Sequence, residues 1–308
     1  MSARAIRVAV VLIAAVIMVG ANGAFADVGE ITTFTDPAGN VSQPEDITTG
    51  PDGALWFTNF DNGRIGRITT GGAITTFTDA AGNVDFPDGI TTGPDGALWF
   101  TSSNNKRIGR ITTGGAITTF TDPADAVDHP FDITAGPDGN LWFTSGVNSR
   151  IGRITTAGVI TTFTDPAGNL DGLGEIALGS DGALWFTSTN TNRIGRVTTA
   201  GDITTFVDPQ NDVEAPLGIT AGPDGNLWFT SMNNFRIGRI TTAGAITTFT
   251  DPAGNVALPR GIASGPAKDV WFTSTINDRI GRIATTGAPP GPPPAPAEPV
   301  VVAPRFTG

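Results

Sequence analysis

The chain has 308 residues, a formal net charge of −11, 41 glycines, 23 prolines, one histidine (His129) and no cysteine or tyrosine. An acidic balance of this size argues against nucleic acid or an anionic membrane surface as a partner. Without cysteine there is no disulfide framework and no thiolate metal site, and the glycine and proline usage favours many short strands joined by tight turns over long helices.

Residues 1–26 read as a secretory signal peptide: Arg4 and Arg7 form a positive start, Val8 to Gly20 is an uncharged apolar run, and Ala24-Phe25-Ala26 is a small-x-small cleavage site before Asp27. The competing reading is an uncleaved anchor, against which the apolar run is short for a spanning helix. The expectation is a mature chain from Asp27, secreted or associated with the cell envelope, monomeric, and with no stable membrane insertion once the leader is removed.

From there the chain is periodic. Trp56, Trp99, Trp142, Trp185, Trp228 and Trp271 are each 43 residues apart. Each sits in L-W-F-T (V-W-F-T at Trp271), R-I-G-R-I or R-I-G-R-V begins eight residues later, and I-T-T-F starts at Ile31, Ile74, Ile117, Ile160, Ile203 and Ile246. One unit predicts four strands, A at Ile47, B at Ala54 to Thr58, C at Arg64 to Ile68 and D at Ala73 to Phe77, with Gly50-Pro51-Asp52-Gly53 as the A–B reversal. Helical periodicity is absent. Four-stranded units of this length predict a six-bladed β-propeller over residues 27–286, in which each blade covers both faces of its neighbours. Trp56 is expected to lie over Gly66 of strand C, with Arg67 as a cation–π partner.

The first D-type strand, Ile31 to Phe34, precedes any A strand, and the last unit lacks a D strand. The N-terminal strand is therefore expected to complete the sixth blade, close the ring and remove an open sheet edge. Residues 287–308 form a proline-rich tail expected to be disordered; a spacer or a proline-recognition ligand is the alternative to a plain terminus.

Candidate site residues come from positions that break the repeat. The six D–A loop aspartates, such as Asp36, recur in register and read as caps of their own turns. One place ahead of strand A stand Asp46, Gly89, Asp132, Glu175, Gly218 and Gly261, with Glu45 and Asp88 nearby. If strand A lines the channel, Asp46, Asp132 and Glu175 form either an oxygen site for Mg²⁺ or Ca²⁺ or a solvated acidic rim. Phe60, Phe131, Leu217, Met232 and Phe235 would form an apolar partner patch on the same loop face if exposed together. His129, before Pro130, is either an ordinary loop histidine or a rim residue and weak catalytic candidate.

G-P-D-G-A-L-W-F-T, R-I-G-R-I-T-T and the I-T-x-F strand resemble the repeats of the virginiamycin B lyase (streptogramin lyase) family, close to NHL-type propellers, over about residues 31–286. The resemblance implies a propeller, one blade larger in the lyase, and an elimination that linearises a cyclic depsipeptide using a general base and Mg²⁺. It also implies a histidine after the proline that precedes strand A. Here those positions hold Glu45, Asp88, Phe131, Gly174, Leu217 and Arg260. The family's glutamate after W-F-T is replaced by Asn59, Ser102, Ser145, Ser188, Ser231 and Ser274, and the next position holds no carboxylate either. The leading expectation is a propeller without the lyase activity that binds a small-molecule ligand or a protein on its loop face. The alternatives are a metal-dependent lyase or hydrolase using a rearranged site built on Asp46, Asp132 and Glu175, and a structural envelope protein tethered by its tail.

Overall fold

The computed structural model describes residues 33–265 and 268–285. The leader (1–26) and the tail (287–308) lie outside the described residues. The chain is an all-β propeller of six antiparallel sheets. Blade 1 holds β1 (Pro44–Thr49), β2 (Leu55–Asn59), β3 (Arg64–Ile68) and β4 (Ile74–Thr78) in that spatial order. Among the described residues one 3₁₀ turn is present, Phe60–Asn62, which links β2 to β3. Blade 2 holds β5 (Pro87–Thr92), β6 (Leu98–Ser102), β7 (Arg107–Ile111) and β8 (Ile117–Thr121). Blade 3 holds β9 (Pro130–Ala135), β10 (Leu141–Ser145), β11 (Arg150–Ile154) and β12 (Ile160–Phe163). Blade 4 holds β13 (Leu173–Leu178), β14 (Leu184–Ser188), β15 (Arg193–Val197) and β16 (Ile203–Val207). Blade 5 holds β17 (Pro216–Ala221), β18 (Leu227–Ser231), β19 (Arg236–Ile240) and β20 (Ile246–Phe249). In blade 6, three strands lie among the described residues: β21 (Pro259–Ser264), β22 (Asp269–Ser274) and β23 (Arg279–Ala284). The expected fourth strand begins at Ile31 and Thr32, outside the described residues; Thr33 and Phe34 belong to no ladder.

The core lies between blades. Between blades 1 and 2, Trp56 and Ile65 meet Ile90, Leu98, Phe100 and Ile111. The same set recurs at the next interfaces, with five clusters among the described residues. Both faces of a blade are thus apolar, which is why the strands do not alternate cleanly. Each of the first five tryptophans stacks on the phenylalanine of its own fourth strand at 5.3–5.4 Å between ring centres.

The expected Trp56–Gly66 contact is replaced by another. Phe57, not Trp56, is paired with Gly66, and a Cβ on Gly66 would meet the Phe57 ring at 2.2 Å. Trp56 turns to the other face and packs on Gly50, whose missing Cβ would stand 2.3 Å from the indole. The cation–π expectation holds, with the Arg67 guanidinium 6.0 Å from the Trp56 ring centre. Asp52 of the A–B turn ties these together: Oδ1 accepts the Trp56 indole N–H at 3.0 Å and Oδ2 accepts Arg67 Nε at 2.7 Å.

Adjacent blades are also clipped by the threonine of W-F-T. Thr58 Oγ1 accepts the Asp46 amide at 3.1 Å and donates to the Asp88 carbonyl of blade 2 at 2.6 Å. Thr101, Thr144, Thr187 and Thr230 donate in the same way to Phe131, Gly174, Leu217 and Arg260. Those acceptors are the second residues of the inner strands, after a proline everywhere but at Leu173 of blade 4, so the scaffold fixes where the backbone of these positions sits. The turn aspartates act as expected: Asp36 accepts the amides of Ala38 and Asn40 at 3.0 and 2.8 Å.

Candidate functional site at the channel mouth

The inner strands surround one channel, and its mouth is a cavity of about 660 Å³. Its wall includes Glu45, Asp46, Asp88, Asp132, Glu175 and Arg260 as charged groups, Phe60, Phe131, Leu217 and Ile262 as apolar ones, and His129. The structure thus gathers Asp46, Asp132, Glu175, Phe60, Phe131 and His129 at one place. Met232 and Phe235 are not among its lining residues. They belong to the turn between β18 and β19, where Met232 is half-buried and Phe235 is exposed, with the Phe235 amide donating to the Met232 carbonyl at 3.4 Å.

Two wall features were not expected. Arg260 stands among the carboxylates yet makes no ion pair within 4.0 Å among the described residues. Phe60 stacks on Phe86 of the next blade at 4.5 Å and 7° between planes, giving the mouth one aromatic lip. Phe86 has φ of 49°, a left-handed conformation uncommon for a bulky residue.

The carboxylates are held by backbone amides of two blades at once. Asp46 Oδ1 accepts its own neighbour Ile47 N at 2.8 Å, and Oδ2 reaches Ile90 N of blade 2 at 2.7 Å. Asp132 repeats this with Ile133 N at 2.7 Å and Ile176 N of blade 4 at 2.8 Å. Glu175 is one methylene longer; Oε2 takes Ile219 N of blade 5 at 3.0 Å. Gly89 makes room for this: a Cβ there would stand 2.6 Å from Asp132 Oδ1. These side chains are staples between neighbouring inner strands.

The expected Mg²⁺ or Ca²⁺ site is not assembled. Asp46 and Asp132 commit both oxygens to amides, and among the described residues no group of three His, Asp or Glu side chains is placed to hold a metal ion. The donor set therefore does not fit the divalent ion that the family resemblance implies: the oxygens keep a spare lone pair, but they are turned to amides of different blades and are not grouped around one point.

Crowding of like charges in a poorly solvated wall favours the protonated forms. Burial, then the neighbouring charge of Asp46, pushes Asp132 up to about 7, against the pull of its two amides. Burial raises Asp88 to about 6, with Glu45 and Asp46 adding to it. Burial and the Asp132 charge hold Glu175 well above the usual carboxylate range. The mouth can hold and exchange protons near neutral pH, and it can attract positive charge.

Comparison with known proteins now bears on this site. The family model for the virginiamycin B lyase family matches residues 14–174 and 169–301. The virginiamycin B lyase of Staphylococcus aureus is similar at 38% identity, covering 79% of this chain and 84% of the lyase, with a TM-score of 0.68. A catalytically inactive His-to-Ala variant of that lyase with quinupristin is similar at 36% identity, over 82% and 88% of the two chains, with a TM-score of 0.71. A streptogramin B lyase structure is similar at 32% identity, over 80% and 84%, with a TM-score of 0.69. The curated proteins contain no match. A propeller of these repeats, matched along most of its length, belongs to the virginiamycin B lyase family.

Proposed function

We propose that this chain is a ligand-binding member of the family that has lost the family's elimination chemistry and works at the mouth of its channel. One observation carries the reading. Of the positions where the resemblance implies histidine, Glu45, Asp88, Phe131, Leu217 and Arg260 line the cavity, and none is histidine. Phe60 and Thr275, in the second position after W-F-T, also line it and supply no carboxylate. The positions at which the resemblance implies the family's base and glutamate thus carry other side chains, which supports contact with a ligand over that family's elimination.

Incubation with a streptogramin B depsipeptide tests this directly. The expected mass spectrum shows intact ring; a ring-opened product would overturn the reading. The rival, a rearranged lyase, is favoured by His129 standing in the wall. It requires turnover that His129→Ala abolishes. We further propose that the protein acts outside the cytoplasm after removal of residues 1–26; the exported form should begin at Asp27 by N-terminal sequencing.

A further inference from the structure

We propose that the mouth takes an organic cation, an ammonium or guanidinium group carried on a flat apolar body. The charge would lodge against Glu175 and its neighbouring carboxylates, and the body would lie on the Phe60 lip. This rests on the binding reading above and names the ligand class. The wall offers five carboxylates against one arginine, and that arginine is unpaired among the described residues. Ionised carboxylates accept and do not donate, and a cation beside them favours that form over the protonated one, so the ligand that completes the wall brings N–H donors and positive charge. Glu175 lines the cavity with Oε2 on the Ile219 amide, which leaves Oε1 without a hydrogen bond among the described residues. An anionic ligand would face the repulsion of those members of the cluster that are ionised.

A bare metal ion fits less well. It would leave Phe60, Phe131 and Leu217 without a role, and the carboxylates are not grouped around a point. An aromatic lip beside acidic groups instead suits a cation whose apolar part covers the ring. The stack of Phe60 on Phe86 holds that ring flat and in place. The cavity, about 660 Å³, matches a compound of drug size.

Calorimetric titration of the purified chain with phenylbutylamine, phenylbutanol, phenylbutyrate and MgCl₂ tests the class. These three organic probes share one body and differ in charge. The amine is expected to bind at least about tenfold more tightly than the alcohol, a difference of about 1.4 kcal/mol, with no binding of the carboxylate. Glu175→Gln should weaken the amine at least about fivefold and leave the alcohol unchanged. Phe60→Ser should weaken both, and it keeps the test open if Glu175→Gln does not fold. Equal affinity for amine and alcohol, no binding of the amine, or tighter binding of Mg²⁺ would overturn the assignment. Turnover of a streptogramin B would sink the binding reading while leaving the amine-to-alcohol ratio to stand on its own.

Discussion

The indole N–H of Trp99 is fully buried and donates to one oxygen, Asp95 Oδ1, at 3.0 Å. The other oxygen of Asp95 holds Arg110 Nε at 2.6 Å, and Arg110 lies 6.0 Å above the same indole. Asp95→Ala would strand a buried donor and free the arginine, at a cost of about 1–3 kcal/mol. Asp95→Asn keeps an acceptor for the indole and should cost about half as much. Burial by itself raises the Asp95 proton affinity, but the bonds from Trp99 and Arg110 outweigh it and the net shift is downward. Its contribution is thus present above the unfolded value of about 4 and is lost as pH falls through the lower folded value. Denaturant midpoints should separate wild type from Asp95→Ala at pH 7, and the gap should be narrower at pH 3. An equal gap at both would show that the carboxylate charge has no part. The repeat made Asp95 visible as a turn residue, because Gly-Pro-Asp-Gly is a local pattern. Its hold on Trp99 was hidden, since adjacent Trp and Phe point to opposite faces and only the register decides which one meets Gly109.

At the scale of strands, inner neighbours are joined by side chains rather than by a shared ladder. Thr144 of β10 reaches the Gly174 carbonyl of β13, and Asp132 of β9 reaches the Ile176 amide of β13. These partners are 30 and 44 residues apart, so no local motif announces them. The period put Asp46, Asp132 and Glu175 at equivalent places ahead of the inner strands, and so on one ring if those strands line the channel. It could not show where their lone pairs point, and that direction separates a staple from a metal ligand. The Asp132 staple has a pH signature. Its folded value lies near 7, raised by burial and then by Asp46, against about 4 when unfolded. A raised value means that its contribution is whole below about pH 4 and is lost as pH rises through 7. Asp88, at about 6, and Glu175 act in the same sense. Urea midpoints should therefore fall between about pH 5 and pH 8. Asp132→Asn cannot accept the Ile176 amide through its Nδ2 and should be less stable at pH 5, but its decline toward pH 8 should be shallower than wild type. An identical decline would mean that Asp132 does not titrate in this range.

For the molecule as a whole, stability depends on how the first and last blades end. Ile47 of blade 1 is 56% exposed where its equivalent Ile90 is 4% exposed, and Trp271 of blade 6 is 41% exposed where Trp99 is fully buried. Leu55 and Ile280 depart from their repeats in the same way. Among the described residues Thr273 accepts the Gly261 amide but clips to no carbonyl of blade 1, and β23 has no outer partner. Large apolar faces left in this state are costly, and an unpaired edge invites association. The 43-residue period offers Ile31 to Phe34 as the expected strand for that edge, since in sequence the segment is the repeat of Ile74 to Phe77 of blade 1. In blade 1, Phe77 is paired with Ile65 and Thr78 with Arg64. If that strand docks in the same register, Phe34 would fall opposite Ile280 and Thr35 opposite Arg279. The chain has no native cysteine. A T35C/R279C variant should therefore close an intramolecular disulfide under mild oxidation, seen as faster migration on a non-reducing gel. Deleting residues 27–36 should lower Tm by at least about 5 °C, equivalent to roughly 2 kcal/mol for a domain of this size, and promote self-association. A reduced-form gel pattern together with an unchanged Tm would show that the six blades hold together without that strand. The first-blade and sixth-blade faces would then need another cover.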